Sequence, residues 1–226
     1  MGKQEPETPL AWQYLVEELR SIQSLIHPQS DPFLDQNDFL RPVPLLLASA
    51  WEVYAIRSAQ EAAVFLGHFT EEPESLPKGL KLKISKGLKE DKHELSVWEL
   101  AGEGWKKHIA DRAKVENRRL RSGKPDHVDE HIEYAIGLAK VSSHWRSPRG
   151  PKVSAKKQLL EYIQRRDKII HQGDIHLSRE ECWSFYGLVE ETAIRTAHAI
   201  DKHIHELTGV RYYSMSMKMM RDIATL

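Results

Sequence analysis

The chain has 226 residues, and its 33 basic and 33 acidic side chains give a formal net charge of zero. This length fits one domain, and 40% hydrophobic residues are enough for a substantial core. The zero net charge argues against a protein that coats DNA through overall charge. The single cysteine, Cys182, excludes an intramolecular disulfide and favours a reducing, cytoplasmic setting. The N-terminal sequence MGKQEPETPL lacks the apolar segment of a signal peptide, and no window is long enough for a membrane span, so we expect a cytoplasmic protein with no membrane partner.

Apolar residues recur at helical spacing in the first third of the chain and predict two helices, over residues 9–27 and 43–69. The second segment is too long and too apolar for a strand, so we expect it to be the core helix. Glu52 lies inside this apolar run. Because an isolated buried carboxylate costs much free energy, Glu52 requires either a cationic partner in the bundle or a place beside a polar cleft.

The middle of the chain gives weaker patterns. Residues 81–91 (KLKISKGLKED) alternate only briefly and predict a loop or a helical turn rather than a strand. Residues 94–120 predict a longer helix that runs through Trp98 and is interrupted or kinked near Gly102 and Gly104.

The last part of the chain predicts three helices, over residues 127–138, 154–171 and 178–207, the last opened by the capping box SREE. Residues 208–226 form a tail that holds four of the five methionines, and we expect it to pack on the body or on a partner chain. The helices, with no credible sheet, predict a single all-α domain over residues 1–226, with its core at about 9–207.

A charged group ends the helix QLLEYIQRRDKIIHQG: Arg166, Asp167 and His171. At about 100° per residue, Asp167 and His171 lie one turn apart on one side, whereas Arg166 and His171 diverge by roughly 140°. Arginine donates a planar fork to phosphate oxygens, histidine exchanges a proton near neutral pH, and an aspartate one turn away can orient the imidazole. RNA supplies its own nucleophile, the 2′-OH, so such a group can cleave RNA without a metal. The alternative is a helix end where the histidine favours the dipole and the other two residues form surface ion pairs.

A basic field surrounds this group. Its candidate contacts to backbone phosphates are Arg165, Lys168, Lys156 and Lys157. A solvated helix face is the alternative interpretation of the same charges.

No metal site or cofactor is predicted. His198, His203 and His205 share no single face of the last helix, and no carboxylate joins them at a metal-binding spacing. Cys182 is interpreted as a buried helix residue, because nothing at its spacing activates it. His176 stays open as an accessory to His171.

At these residues the sequence resembles the HEPN superfamily, helical domains of which many are metal-independent endoribonucleases. The family's mark, R-x4-6-H with a polar residue after the Arg, is matched by Arg166, Asp167 and His171. The segment LLLASAWEVYAIRSAQEAAVFL resembles the family's early helix with its E-x-Y core, here Glu52 and Tyr54. The stretch KPDHVDEHIEYAIGLAKVSSHW is similar to the RiboL-PSP branch, often found in stress-response, toxin–antitoxin and phage-defence settings. The chain departs from the pattern at one extra residue, a glutamine, between the histidine and the glycine that relatives usually have directly after it.

The resemblance implies a HEPN-like helical bundle with additional helices and a metal-independent endoribonuclease that leaves a 2′,3′-cyclic phosphate and a 5′-hydroxyl. His171 would act as general base or acid, Arg166 would stabilise the transition state, Asp167 would orient His171 or a water, and Glu52 would be a supporting polar residue. It also implies an RNA substrate, a homodimer with a composite active site, and an antitoxin or defence-complex partner. Two alternatives stay open: a non-catalytic HEPN-like module that binds RNA or nucleotide or assists assembly, and a plain helical interaction domain.

Overall fold

The computed structural model describes residues 9–27, 39–90, 95–115, 122–150, 153–172 and 176–213. Within these ranges the chain forms seven α-helices and no strand, so the all-α prediction is confirmed. The helices are α1 (Leu10–Ile26), α2 (Val43–Phe69), α3 (Lys78–Glu90), α4 (Gly104–Val115), α5 (Pro125–Ile136), α6 (Ala155–Gln172) and α7 (Arg179–Thr208).

Helix α2 is the central element of the bundle. Its 27 residues span about 40 Å, and α1, α4, α5, α6 and α7 all pack against it. A helix covered on several sides carries apolar residues around most of its circumference instead of along one stripe. The alanines that allow this close packing are all fully buried: Ala55, Ala59, Ala62 and Ala63.

Helices α1 and α7 are held to α2 by aromatic packing and one long-range hydrogen bond. Helix α1 confirms the helix predicted over residues 9–27, and its apolar residues at helical spacing are buried on one side: Trp12, Leu15, Leu19, Ile22 and Ile26. The ring of Trp12 meets that of Tyr54 edge-on at 6.0 Å between centroids. The Tyr54 hydroxyl then donates to the carbonyl oxygen of Ala193 on α7 at 3.2 Å. Tyr54 therefore links three helices through one buried side chain.

Helix α3 corrects the prediction of a loop or turn over residues 81–91. Leu80 and Ile84 lie one turn apart and are buried, and Lys83 Nζ lies 2.9 Å from Glu133 Oε1 on α5. Two buried apolar residues are a weak sequence signal among so many lysines and glycines. Packing against α5 supplies the stability that intrinsic propensity lacks.

The helix predicted over residues 94–120 is two elements. A 3₁₀ turn over Ser96–Leu100 is followed by α4, and between them Gly102 adopts a left-handed φ of +59°. The interruption near Gly102 is therefore confirmed, but a helix running through Trp98 is wrong. Trp98 is 71% exposed, because the break turns it away from the core, while Trp105 on α4 is 7% exposed. The predicted end of this helix, beyond Val115, lies outside the described residues.

Capping contacts confirm several predicted helix ends. Ser178 Oγ accepts the backbone N–H of Glu181 at 3.1 Å and opens α7. Ser154 Oγ accepts the N–H of Lys157 at 3.4 Å and opens α6. Helix α5 ends at Gly137, whose φ of +77° is a left-handed C-cap.

The first residues of the predicted tail pack on the body. Asp201 on α7 is buried and accepts the backbone N–H groups of Tyr212 at 2.9 Å and Tyr213 at 3.0 Å. Both tyrosine rings are buried. The four methionines of the tail fall within 214–226, outside the described residues.

Candidate active site

Helix α6 carries the predicted site and buries one of its faces. The apolar residues of that face are Leu159, Tyr162, Ile163 and Ile169. Two apolar residues of the same helix are turned outward, since Leu160 is 38% and Ile170 is 47% exposed. Ile169 lies seven residues after Tyr162, within about 20° of it around the helix, and continues the buried face. Arg166 follows Tyr162 by one turn and therefore extends the buried face to its charged end.

Arg166 lies between two carboxylates. Its Nη2 is 3.8 Å from Glu52 Oε1, and its Nε is 3.2 Å from Asp167 Oδ1. The Arg166 side chain is 21% exposed, against 30% for Glu52 and 51% for Asp167. Arg166 Nε is buried, and its contact with Asp167 is an ion pair without well-formed hydrogen-bond geometry. The guanidinium thus has a carboxylate on two sides, that of Glu52 at the long ion-pair distance of 3.8 Å, and still reaches the surface.

Glu52 is fixed by the segment that precedes α5. Its Oε1 accepts the backbone N–H of Gly123 at 2.9 Å, while Trp51 Nε1 donates to the carbonyl oxygen of Gly123 at 2.9 Å. A Cβ atom on Gly123 would lie only 2.6 Å from Trp51 Cδ1, so this approach requires glycine. The structure gives Glu52 a cationic partner, Arg166, at the edge of the core.

Tyr162 anchors the other side of Arg166. Its buried hydroxyl donates to the carbonyl oxygen of Pro44 at the start of α2. Burial raises the pKa of Tyr162 well above its ordinary value, against the lowering effect of the nearby Arg166 charge. Tyr162 therefore stays a neutral hydrogen-bond donor and ties α6 to α2 one turn before Arg166.

His171 stands apart from Arg166. It is exposed in the last turn of α6, at about 140° around the helix from Arg166. Among the described residues, no hydrogen bond or ion pair involves His171. Asp167, expected to orient His171, makes its observed contact with Arg166 instead. Within one chain, then, the structure brings together Arg166, Asp167 and Glu52 but not His171.

The four basic residues that are predicted to contact backbone phosphates differ in how closely acidic side chains neutralise their charge. Arg165 Nε lies 2.8 Å from Glu181 Oε1, and Lys156 Nζ lies 3.4 Å from Asp129 Oδ2. Lys157 pairs loosely with Glu161 one turn on, at 3.8 Å. Lys168 is exposed, and no ion pair involves it within the described ranges.

His203 is half-buried and Cys182 is buried, each against structural partners, whereas two other histidines are exposed. His203 Nε2 lies 3.0 Å from the carbonyl oxygen of Ile136, and burial lowers the His203 pKa. His198 and His176 are exposed. Cys182 is buried, and burial raises its pKa to about 11, as the interpretation of an unreactive thiol requires. In the part of the chain that is described, no three His, Cys, Asp or Glu side chains form a group that could hold a metal ion.

Sequence reasoning missed the supports of Arg166. Gly123 sits in a short polar stretch, SGKPD, that gives no sign of its contact with α2. Trp51 appears only as one more apolar residue of the core helix. The role of Tyr162 could have been predicted from the sequence. A tyrosine one turn before Arg166 on the buried face of the helix would place its hydroxyl near the charged group.

Compared with known proteins, the chain matches no family model, and neither a curated protein nor a solved structure matches it. Membership of the HEPN superfamily therefore stays a prediction based on the sequence motifs. None of the helices in the described ranges combines the length and the apolar character needed to cross a membrane.

Proposed function

We propose that the chain is a metal-independent endoribonuclease of the HEPN type, which cleaves RNA by attack of the 2′-OH on the adjacent phosphate. The bond from the 2′ oxygen to phosphorus forms, the bond to the 5′ oxygen breaks, and the products carry a 2′,3′-cyclic phosphate and a 5′-hydroxyl. His171 acts either as the base that takes the 2′-OH proton, while water protonates the leaving 5′ oxygen, or as the acid that protonates that oxygen, while water accepts the 2′-OH proton. Arg166 stabilises the negative charge of the transition state.

The observation that carries the proposal is the setting of Arg166. Its guanidinium is restrained by Glu52 and Asp167 and remains 21% exposed. A cation that is already oriented loses little conformational freedom when it binds a phosphate. Arg166 is therefore expected to stabilise the transition state more than a freely moving surface arginine would. Glu52 and Asp167 act here as positioning residues for Arg166.

The divergence of Arg166 and His171 leads us to include a homodimer in the proposal. Leu160, Asp167 and His171 lie within about 40° of one another around α6, on its exposed side. A second copy that covered this strip would bury Leu160, which is 38% exposed, and would bring another His171 towards the site. A composite cleft would then combine an arginine and a histidine from different chains.

The decisive experiment follows cleavage of single-stranded RNA in EDTA by wild type, Arg166→Ala and His171→Ala. We expect cleavage by the wild type and a loss of at least about 100-fold in each variant. His198→Ala is the matched control for His171→Ala, because His198 is also an exposed helix histidine, and it should cleave at the wild-type rate. Products with a 2′,3′-cyclic phosphate should resist phosphatase until acid opens the ring.

A mixed-variant assay and a sedimentation measurement test the composite cleft. Inactive Arg166→Ala and inactive His171→Ala, mixed and allowed to exchange subunits, should recover part of the wild-type rate, because some dimers then hold one intact pair. A wild-type protein that cuts RNA while monomeric in sedimentation would contradict the composite cleft. Cleavage that requires a divalent cation, or that survives both substitutions, would overturn the enzyme assignment itself.

His171 is exposed and has no hydrogen bond or ion pair with any described residue, which also suits the second candidate, a non-catalytic module that binds RNA. Such a module needs the basic side chains and not the histidine. It predicts RNA binding that weakens with salt, no cleavage in any buffer, and unchanged affinity in His171→Ala.

A further inference from the structure

A groove of about 700 Å³ lies at the N-terminal end of α6, away from Arg166. Its described walls come from residues 142–150 after α5, residues 153–156 at the start of α6, and one face of α7. The volume lies within the range of about 300–1,000 Å³ that is typical of small-molecule sites. Arg166 lies ten residues after Lys156, the groove's lysine, which is about 15 Å along the helix. The groove is therefore a separate feature from the candidate active site.

The charged residues of the groove are mainly basic. Arg146, Lys156 and Arg195 line it, against one acid, Glu191, which pairs with Arg195 at 2.8 Å. Lys156 also contacts Asp129, which lies outside the lining and already accepts from the backbone N–H of Ser142. Arg146 is exposed, and no ion pair involves it among the described residues. The groove thus keeps an uncompensated positive charge at its rim.

Neutral hydrogen-bond donors add to this charge. Ser147 Oγ accepts the N–H of Arg149 at 3.0 Å, and Ser154 Oγ accepts the N–H of Lys157, so each hydroxyl can donate its own hydrogen outward. The N–H groups of Ala155 and Lys156, in the first turn of α6, have no acceptor within the helix. Trp145 and Val153 supply apolar surface beside these donors.

We propose that this groove binds the phosphate group of a nucleotide-sized ligand. Arg146 supplies the uncompensated charge, and Lys156, already paired with Asp129, is a second cation beside it. The serine hydroxyls and first-turn N–H groups supply directed hydrogen bonds, and the apolar wall receives the organic part. The phosphate can belong to a free mononucleotide or to the backbone of a single-stranded RNA. The inference does not depend on ribonuclease activity, since no residue of the groove belongs to the Arg166 group.

The test measures binding by calorimetry at low salt with four probes: inorganic phosphate, AMP, adenosine, and a short single-stranded RNA fully methylated at its 2′ oxygens. The methylated RNA lacks the nucleophile, so it cannot be cut by the proposed mechanism. We expect saturable binding of AMP or of the methylated RNA, and none of adenosine. Arg146→Ala should raise the dissociation constant about tenfold, the cost of losing one charged hydrogen-bond partner.

Arg149→Ala is the matched control, because Arg149 is an exposed arginine of the same segment that does not line the groove. It should change the dissociation constant less than about twofold. Binding of AMP as tight as that of the RNA would identify a free nucleotide as ligand, whereas binding of the RNA alone, weakened by Arg146→Ala, would identify the backbone. The inference is overturned if no phosphate probe binds saturably, if adenosine binds as well as AMP, or if Arg149→Ala weakens binding as much as Arg146→Ala. Arg166→Ala should keep AMP binding even if it abolishes cleavage, which separates the two proposals.

Discussion

Arg166 Nη2 on α6 lies 3.8 Å from Glu52 Oε1 on α2, and the same carboxylate oxygen accepts the N–H of Gly123 at 2.9 Å. Three distant parts of the chain therefore meet at one side chain of the central helix. Glu52 is 30% exposed and its carboxylate is held by the backbone, so it places a fixed negative charge at long ion-pair distance from the guanidinium. The orientation of Arg166 is in this way a property of the tertiary structure.

Removing the charge of Glu52 should separate positioning from folding. Glu52→Gln keeps an acceptor for the Gly123 N–H and loses the attraction to Arg166. We expect a melting temperature close to wild type, and a cleavage rate roughly 10-fold to 100-fold lower, as for other small misplacements of a catalytic group. Steady-state kinetics on RNA should show the loss in kcat. Glu206→Gln, at an exposed carboxylate of α7, is the control, and equal rates for the two variants would contradict a positioning role.

Gly123→Ala should destabilise the protein by about 1–3 kcal/mol, because its Cβ would lie 2.6 Å from Trp51 Cδ1 and 3.0 Å from Glu52 Cγ. Gly187→Ala is the matched control, since a Cβ on this α7 residue meets no atom within 4 Å. That substitution should leave stability unchanged or raise it by up to about 1 kcal/mol, because alanine favours helix. Urea unfolding measures the free energy of unfolding of both variants. Equal changes in the two variants would show that Gly123 does not approach Trp51 closely.

The two tryptophans on either side of the break at Gly102 should respond very differently to truncation. Trp105→Ala removes a buried ring and should lower the free energy of unfolding by about 3–5 kcal/mol. Trp98→Ala removes a ring that is 71% exposed and should change the free energy of unfolding by less than about 0.5 kcal/mol. A large loss in Trp98→Ala would instead support the continuous helix that the sequence predicts.

Stability should fall in alkaline solution. Burial raises the pKa of Cys182 to about 11 and those of Tyr54 and Tyr186 to about 12, from reference values of 9.0 for the thiol and 10.0 for the phenols. Above the reference values the unfolded chain releases these protons while the folded chain retains them, so the free energy of unfolding declines as pH rises from about 9 to 12. Urea unfolding at a series of pH values measures the slope.

Tyr186→Phe provides the check on that explanation. The variant removes one titrating group and should lose less stability between pH 10 and 12 than wild type. An identical decline in the two proteins would assign the effect to other groups.

The two main errors of sequence prediction have different physical causes. Lys78–Glu90 is helical because Leu80 and Ile84 find a surface on α5, and a lysine-rich sequence with two glycines does not encode that surface. Trp98 is apolar and spaced for a helix core, yet the left-handed turn at Gly102 directs it to solvent. In both places a long-range contact or a single backbone turn outweighs periodicity.

The sequence by itself determined the all-α class, the central role of residues 43–69, most helix ends, and the divergence of Arg166 from His171. Helical periodicity, capping residues and the 100° rotation per residue are local properties, so they can be read without knowing what packs where. Only the tertiary structure decided that Glu52 meets Arg166, that Asp167 contacts Arg166, and that a basic groove opens at the start of α6. Those relationships depend on how α2, α5, α6 and α7 pack together. Contacts between segments that are distant in the chain produce no periodic pattern in the amino-acid sequence.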